Sequence, residues 1–271
     1  MLDVAQDADV IDQGAFFACK VTEVEHFTDD LFRFRTARPS TLRFRPGEFL
    51  MIGLEGEKKP VLRAYSVASP SWDDTLEFYS IKVENGALTS RLRHIQPGDR
   101  VLVGRKPTGT LVTDALKPGK RLYMLSTGTG AAPFASLIRE PGVYEQFDEV
   151  VFTHTCRTSP ELTYSRGLVE ALKTDPLVGE ASAGRLVYFD SVTREDGPRQ
   201  GRITTLIETG ALFEMIDRPA LNPETDRVMI CGSMAMLGEL KAMLEARGFE
   251  EGSNAKPGDF VVEKAFAGEG V

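Results

Sequence analysis

Cysteine is scarce in this chain of 271 residues: Cys19, Cys156 and Cys231 lie far apart and are odd in number. That argues against a disulfide framework. It also leaves no cysteine cluster to ligate an iron–sulfur centre, and no metal site is expected. No apolar run approaches the ~18 residues a membrane helix needs. The first residues, Met1-Leu2-Asp3-Val4-Ala5-Gln6-Asp7-Ala8-Asp9, are acidic. They lack both the basic and the apolar region of a secretory signal. A cytoplasmic, soluble protein without membrane contact is expected. Basic excess is missing too: the net charge is −8. Divided at Lys117/Pro118, the first part carries 16 basic and 17 acidic residues, and the second 16 and 23. Nucleic-acid binding is therefore not expected. No repeat, low-complexity segment or long apolar surface stripe stands out, so a monomer is the default.

What is present is an ordinary globular composition, 42% hydrophobic and 27% charged. At roughly 150 residues per domain, the length suggests one or two domains. Up to about residue 118 the chain reads as short strands rich in Val, Phe, Tyr and Ile: Phe16 to Val24, Leu31 to Thr36, Glu48 to Ile52, Ala64 to Val67, Leu76 to Val83 and Arg100 to Val103. Pro46-Gly47, Pro70-Ser71, Asn85-Gly86 and Pro97-Gly98 separate them, as in a sandwich or barrel. Leu88 to Ile95 is the one helix-like piece. After Lys117-Pro118-Gly119-Lys120 strands alternate with helices. The strands are Arg121 to Leu125, Glu149 to Thr155, Arg185 to Val192 and Arg227 to Cys231. The helices start near Pro133, Tyr164, Ile203 and Met234. That alternation predicts a doubly wound parallel sheet. The expected division is residues 1–118, a β-barrel, and 119–271, an α/β domain.

Gly128-Thr129-Gly130-Ala131-Ala132-Pro133 follows a strand and opens a helix. Glycines there let the backbone approach a pyrophosphate, and the free amides of a helix start face it. Pro133 suits a first helical turn. The third glycine of the usual dinucleotide fingerprint is absent, and a plain strand–helix turn would read the same way. The next strand ends Thr153-His154-Thr155-Cys156-Arg157, without the acid that holds the ribose 2′-hydroxyl of NAD. Arg157, Arg194 and Arg202, all near carboxyl ends of strands, instead suit a 2′-phosphate, although each alone reads as a surface arginine. Arg33, Arg35, Arg38, Arg43 and Arg45 form a basic cluster. It is either a solvated strand face or a docking patch for an acidic protein.

Arg63-Ala64-Tyr65-Ser66 on a barrel strand, then Gly86-Ala87-Leu88-Thr89, then the Gly128–Pro133 turn, is an order of motifs that resembles the ferredoxin–NADP reductase superfamily. Val228-Met229-Ile230-Cys231-Gly232-Ser233-Met234 and Phe260-Val261-Val262-Glu263-Lys264-Ala265-Phe266 are most similar to its bacterial ferredoxin/flavodoxin–NADP reductases. The resemblance covers nearly the whole chain. It implies an antiparallel FAD-binding barrel, then an NADP-binding α/β domain whose C-terminal tail returns to the flavin. It further implies an enzyme that exchanges a hydride with NADP(H) and single electrons with ferredoxin or flavodoxin. By the same resemblance Arg63 pairs with the FAD pyrophosphate, Tyr65 lies against the isoalloxazine and Ser66 bonds near flavin N5. Ala64, Ile81, Lys82, Val83, Gly86, Leu88, Thr89 and Thr129 complete the FAD site, with Ala265 over the second flavin face and Phe266 at the adenine. Thr127, Gly128, Gly130, Pro133, Thr155, Arg157, Arg194, Arg202, Cys231 and Gly232 take NADP. Ser66, Cys231 and Glu263 stand nearest the chemistry. The tail Ala267-Gly268-Glu269-Gly270-Val271 runs past the family's pattern, which puts Ala265 and Phe266 in question. A free-flavin reductase, a reductase component of an oxygenase and a non-catalytic electron-transfer subunit are the competing readings. The last two usually bring cysteine clusters that this chain lacks.

Overall fold

The computed structural model describes residues 8–83 and 85–264, so Ala265 and Phe266 lie outside the described residues. The first half is antiparallel: β1 (Val10–Asp12), β2 (Phe16–His26), β3 (Leu31–Ala37), β4 (Phe49–Leu54), β5 (Val61–Ser66), β6 (Thr75–Ile81) and, after the short helix α1 (Thr89–Leu92), β7 (Arg100–Gly104). Strand order is β5-β4-β7-β2-β3-β6, with β1 against β2. The register of β2 slips between Val21 and Glu23, so its first half pairs with β7 and its second with β3. A bulge of this kind bends a strand and sharpens its twist, and here it turns the sheet towards closure. The hydroxyls of Tyr65 on β5 and Ser80 on β6, 3.0 Å apart, join the two end strands. Alternation does the rest: on β3, Phe32, Phe34 and Thr36 are fully buried while Arg33 and Arg35 face outward.

The second half is a parallel sheet of β8 (Arg121–Thr127), β9 (Glu149–Cys156), β10 (Leu186–Val192), β11 (Asp226–Gly232) and β12 (Phe260–Lys264), ordered β10-β9-β8-β11-β12. Successive side chains of a strand point to opposite faces. Met124, Phe152 and Met229 thus pack into one core with α2 (Ala131–Leu137) and α3 (Pro141–Gln146). Leu125, Val151, Val228 and Ile230 pack into another, with α6 (Ile203–Glu208), α7 (Ala211–Met215) and α8 (Met234–Ala246). Burial on both faces explains the unbroken apolar runs of these strands. Two further helices, α4 (Thr163–Leu172) and α5 (Gly179–Ser182), lie between β9 and β10.

The expected strands are all present, with ends shifted by up to three residues. The expected helix Leu88–Ile95 is helical only over α1 and continues in i→i−3 turns at His94 and Ile95. Pro97 disfavours helical geometry in the residue before it, and Gln96 N–H turns to the Asp99 carboxylate instead, at 2.8 Å. Strands β1 and β12 and helices α3, α5 and α7 were not expected, being too short for a hydrophobic period to register.

The basic cluster is a correction. Arg33 pairs with Glu23, Glu25 and Glu77, Arg35 with Glu77 and Glu23, and Arg45 with Glu48 and Asp114. Arg38 donates to the carbonyls of Ser71, Asp73 and Leu42, and Arg43 to those of Ser40 and Leu42. The guanidiniums of Arg33, Arg35 and Arg38 are thus largely engaged within the chain, whereas Arg43 and Arg45 remain exposed.

Glu77 on β6 joins the two halves. Its side chain is 3% exposed and takes Arg35 Nε at 2.9 Å, the Tyr164 hydroxyl at 2.7 Å and Arg139 Nη2 at 3.3 Å. Arg139 also donates to the Ala68 carbonyl. Around this pair Tyr79 of the barrel stacks on Tyr164 of α4 at 4.3 Å, and Trp72 Nε1 donates to the Arg139 carbonyl at 3.1 Å. Burial alone would raise the pKa of Glu77. The charges of Arg139, Arg35 and Arg33 and the Tyr164 hydroxyl outweigh it and lower the value from 4.5 to about 2. A carboxylate depressed in the folded state stabilises above its unfolded pKa, and that stability is lost as pH falls through the folded value. Glu77→Gln should therefore cost about 3 kcal/mol at pH 7, and the difference from wild type should shrink between pH 4.5 and 2. Urea denaturation at several pH values measures it, and a deficit independent of pH would mean that charge is not what Glu77 contributes.

Candidate active site

In the parallel sheet the order reverses between β8 and β11: β9 and β10 lie to one side of β8, β11 and β12 to the other. Ligands of open α/β sheets sit outside the carboxyl ends of the strands at such a switch point. A cleft of about 690 Å³ opens there. Thr127, Gly128 and Thr129 line it from the end of β8, and Thr155, Cys156 and Arg157 from the end of β9. Arg202 and Ser233 close it at α6 and α8, and Thr28–Leu31 and Ile81 of the barrel form its opposite wall. Arg157 and Arg202 are thus brought together, both exposed. Arg194, also exposed, is tied to Arg157 through its amide on the Arg157 carbonyl at 2.9 Å, but is not part of the wall. The Glu161 carboxylate is turned inward, accepting the Arg157 amide and the Thr158 hydroxyl.

The turn after β8 is held by close backbone contacts. Gly128 has φ +53 with open space where a Cβ would stand, whereas a Cβ on Gly130 would lie 2.1 Å from the Cys231 carbonyl oxygen. Gly130 is therefore needed for approach to β11, and Gly128 for its left-handed backbone. On the neighbouring loop a Cβ on Gly232 would lie 2.3 Å from Thr127 Oγ1, which also accepts the Ser233 amide at 3.2 Å. Pro133 sits buried in the first turn of α2, where no helical acceptor awaits its missing N–H. Thr155 is buried, its hydroxyl 2.7 Å from that of Ser191.

Ser66, Cys231 and Glu263 come from three distant stretches, and strand register and one turn link them indirectly. Cys231 pairs with Glu263 across β11 and β12. The Glu263 carboxylate accepts the Thr110 amide at 3.0 Å, and the Thr110 hydroxyl donates to the Val262 carbonyl at 3.0 Å. Thr108, at the head of that turn, bridges to Phe49, which pairs with Ser66 on β5. Burial raises Glu263 from 4.5 to about 7, with Glu48 adding and the Thr110 and Leu111 amides opposing. Cys231 is 1% exposed, and burial pushes its thiol well above its ordinary pKa.

On β5, the exposed guanidinium of Arg63 bonds, among the described residues, only to the Leu62 carbonyl, at 2.8 Å. Ala64, Tyr65 and Ser66 are half-buried. The Tyr65 ring is fixed by edge contacts with Phe34 and Phe78. Leu88 is buried in the barrel core. The Thr89 hydroxyl is engaged with the amide and carbonyl of Val83, at 3.3 and 3.2 Å, and a Cβ on Gly86 would lie 2.2 Å from it. Thr89 thus shapes the turn as well as facing outward from α1. His26 on β2 is pushed below its ordinary pKa by burial and, to a lesser degree, by the charges of Lys82 and Arg93.

His154, Thr110 and the Thr28–Leu31 turn were not singled out from sequence. The signal for His154 was a polar residue alternating with Thr153 and Thr155 inside a buried strand. For the other two there was none, since their place at the site depends on how the halves meet.

A barrel strand carrying an arginine with no carboxylate partner among the described residues and a tyrosine held by two phenylalanines, set against a parallel sheet with a glycine turn at its switch point, defines a two-domain flavin and nicotinamide nucleotide oxidoreductase fold. Residues 18–112 match the oxidoreductase FAD-binding domain family and residues 124–241 the oxidoreductase NAD-binding domain family. The flavodoxin/ferredoxin–NADP reductase of Rhodobacter capsulatus is 58% identical over 93% of both chains. The ferredoxin–NADP reductase of Azotobacter vinelandii is 51% identical over 91% of this chain and 96% of its own. The ferredoxin–NADP+ reductase of Neisseria gonorrhoeae, solved with FAD and NADP bound, superposes with a TM-score of 0.85 at 29% identity, over 94% of this chain and all of that one. The chain belongs to the ferredoxin/flavodoxin–NADP reductase family.

The two turn glycines should separate on substitution. Gly130→Ala forces the turn away from β11 and should cost about 3 kcal/mol or more, whereas Gly128→Ala pays only for its backbone, about 1 kcal/mol. Urea denaturation of both variants reads the order, and a reversed order would show that the contact with Cys231 is not what the turn depends on.

Proposed function

We infer that this protein is an FAD-dependent reductase that exchanges a hydride with NADP(H) and single electrons with ferredoxin or flavodoxin. The observation that carries it is the cleft at the switch point: its turn offers backbone amides to a pyrophosphate, Arg157 and Arg202 line it, and the barrel carrying Arg63-Ala64-Tyr65-Ser66 forms the facing side.

The residues present fit FAD. Arg63 has no carboxylate partner among the described residues, which suits a planar donor to a pyrophosphate. Tyr65, held on edge by two phenylalanines, suits the flat face of the isoalloxazine, with the backbone of Ile81, Lys82 and Val83 beside it. Bound FAD supplies the redox chemistry, taking two electrons with a hydride and returning them singly. The protein supplies position. Thr127, Gly128, Gly130, Pro133, Thr155 and Gly232 shape the NADP cleft, and Arg157, Arg194 and Arg202 receive the 2′-phosphate. Thr129 lies where the cleft meets Ile81. Ser66, Cys231 and Glu263 border the reacting atoms, and Glu263 is the proton carrier, since its raised pKa lets it hold or release a proton near neutrality. Ala265 and Phe266 keep the assignments given by family resemblance. The electron carrier is an acidic protein, and the reductase works in the cytoplasm as a monomer.

Reduction of the bound flavin should be at least tenfold more efficient with NADPH than with NADH, and Arg157→Ala should lower that preference. Stopped-flow traces with both nucleotides, followed by titration with ferredoxin and flavodoxin, test the reading. Equal efficiency would remove the 2′-phosphate assignment, and failure to reduce either carrier would favour a free-flavin reductase. Glu263 is protonated below about pH 7 and ionised above it. If proton donation limits turnover, the rate falls above that pH, and Glu263→Gln should give a slower, flat profile. A variant that keeps the bend would place the titrating group elsewhere.

A further inference from the structure

His154 lies fully buried in the middle of the parallel sheet, and both of its ring nitrogens are bonded. Nε2 is 2.9 Å from the carbonyl oxygen of Gly128, the first residue of the turn at the cleft. It is also 3.2 Å from Cys156 Sγ. Nδ1 is 2.7 Å from the Ser165 hydroxyl of α4, which in turn is 2.7 Å from the hydroxyl of Tyr188 on β10. A carbonyl oxygen only accepts, so Nε2 carries the proton. Burial pushes the imidazole down to about pKa 4, so near neutral pH it has one proton. Nδ1 then accepts from Ser165 at 2.7 Å, in competition with the Leu162 carbonyl at 3.1 Å, and the Ser165 oxygen accepts from Tyr188. One tautomer is thereby fixed by three elements of the sheet.

The consequence lies on the other side of the peptide. In a trans peptide the carbonyl and the following N–H point in opposite directions, and the described residues contain no cis bond. The Gly128 carbonyl is held from within the sheet by His154, while the Ala131 amide also reaches it. The Thr129 N–H on the same peptide is therefore turned away from His154, on the side where Gly128 and Thr129 border the cleft. No bond from it to a backbone group outside its own turn is found among the described residues. Gly128, with φ +53 and open space where a Cβ would stand, has no side chain to hold this peptide plane in place.

We propose that His154 is a positioning residue for nucleotide binding: by donating Nε2–H to the Gly128 carbonyl it fixes the Gly128–Thr129 peptide so that the Thr129 amide faces the pyrophosphate of NADP(H). Rotation of that peptide would turn a carbonyl dipole towards the phosphates in place of a donor. This rests on the cleft being the NADP site.

The test compares two ligands on the FAD-loaded protein by calorimetry: NADP+, which has a pyrophosphate, and adenosine 2′-monophosphate, which has only the 2′-phosphate. His154→Leu should weaken NADP+ binding roughly tenfold, the equivalent of one hydrogen bond, and leave the monophosphate within about twofold. His154→Gln can place an N–H at the Nε2 position and should stay within about threefold of wild type for NADP+. Unchanged NADP+ affinity in His154→Leu, or equal loss of both ligands, overturns the proposal. If His154→Leu does not fold, Ser165→Ala decides, because it frees the imidazole to rotate. Threefold weaker NADP+ with unchanged monophosphate supports the positioning role, and unchanged NADP+ rejects it. Wild-type protein that binds neither ligand refutes the NADP reading itself, a result distinct from any of these.

Discussion

The buried carboxylate of Glu77 is what the geometry of the site depends on. It sits on the last strand of the barrel path, yet two of its partners, Arg139 and Tyr164, belong to the parallel half. A buried charge is tolerated only when paired and fully hydrogen-bonded. The halves must therefore meet in the one arrangement that brings three guanidiniums and a phenol to this carboxylate. The stacked pair Tyr79–Tyr164 and the Trp72 hydrogen bond fit around the same arrangement. With the interface set, the Thr28–Leu31 turn and Ile81 face the switch point of the sheet and complete the cleft. Hydride transfer depends steeply on the approach of two atoms. An enzyme whose flavin and nucleotide sites lie on separate halves needs those halves fixed, and Glu77 fixes them.

Within the parallel half, close backbone approach plays the same part. Gly130 lets the first turn touch the carbonyl of Cys231, Gly232 lets the second touch Thr127, and Thr127 Oγ1 takes the Ser233 amide between them. His154 reaches the first turn from beneath. Cys231 and Glu263 lie side by side because β11 and β12 are in parallel register, and the turn from Thr108 to Leu111 links them to β5. The corner where β11, β12 and the 108–111 turn meet is thus assembled from strand pairing and hydrogen bonds.

Much of the fold was legible because its signals are local. Short β-rich runs broken by Pro-Gly and Asn-Gly, then alternating strands and helices, follow from residue type and period, and the two-half architecture is as expected. The Gly128–Pro133 turn was legible for the same reason. The arginines of the barrel were not. Arg33, Arg35 and Arg45 form one basic cluster in sequence, but their carboxylate partners Glu77, Glu23 and Asp114 are brought to them only by folding. Arg194 shows the reverse limit: it lies at the expected end of the sheet, but outside the cleft wall that Arg157 and Arg202 share.

By itself the sequence determined most of the segments that become strands, the glycine turn after β8, and which family the chain belongs to, because these depend on residue type at fixed spacing. Tertiary structure alone decided which charges are free and which are paired, why Glu263 holds its proton near neutrality, and how a fully buried histidine comes to lie under the Gly128 turn. Those properties depend on burial and on the distance between groups far apart in the chain, and desolvation and Coulomb interaction take their values only once the halves have met.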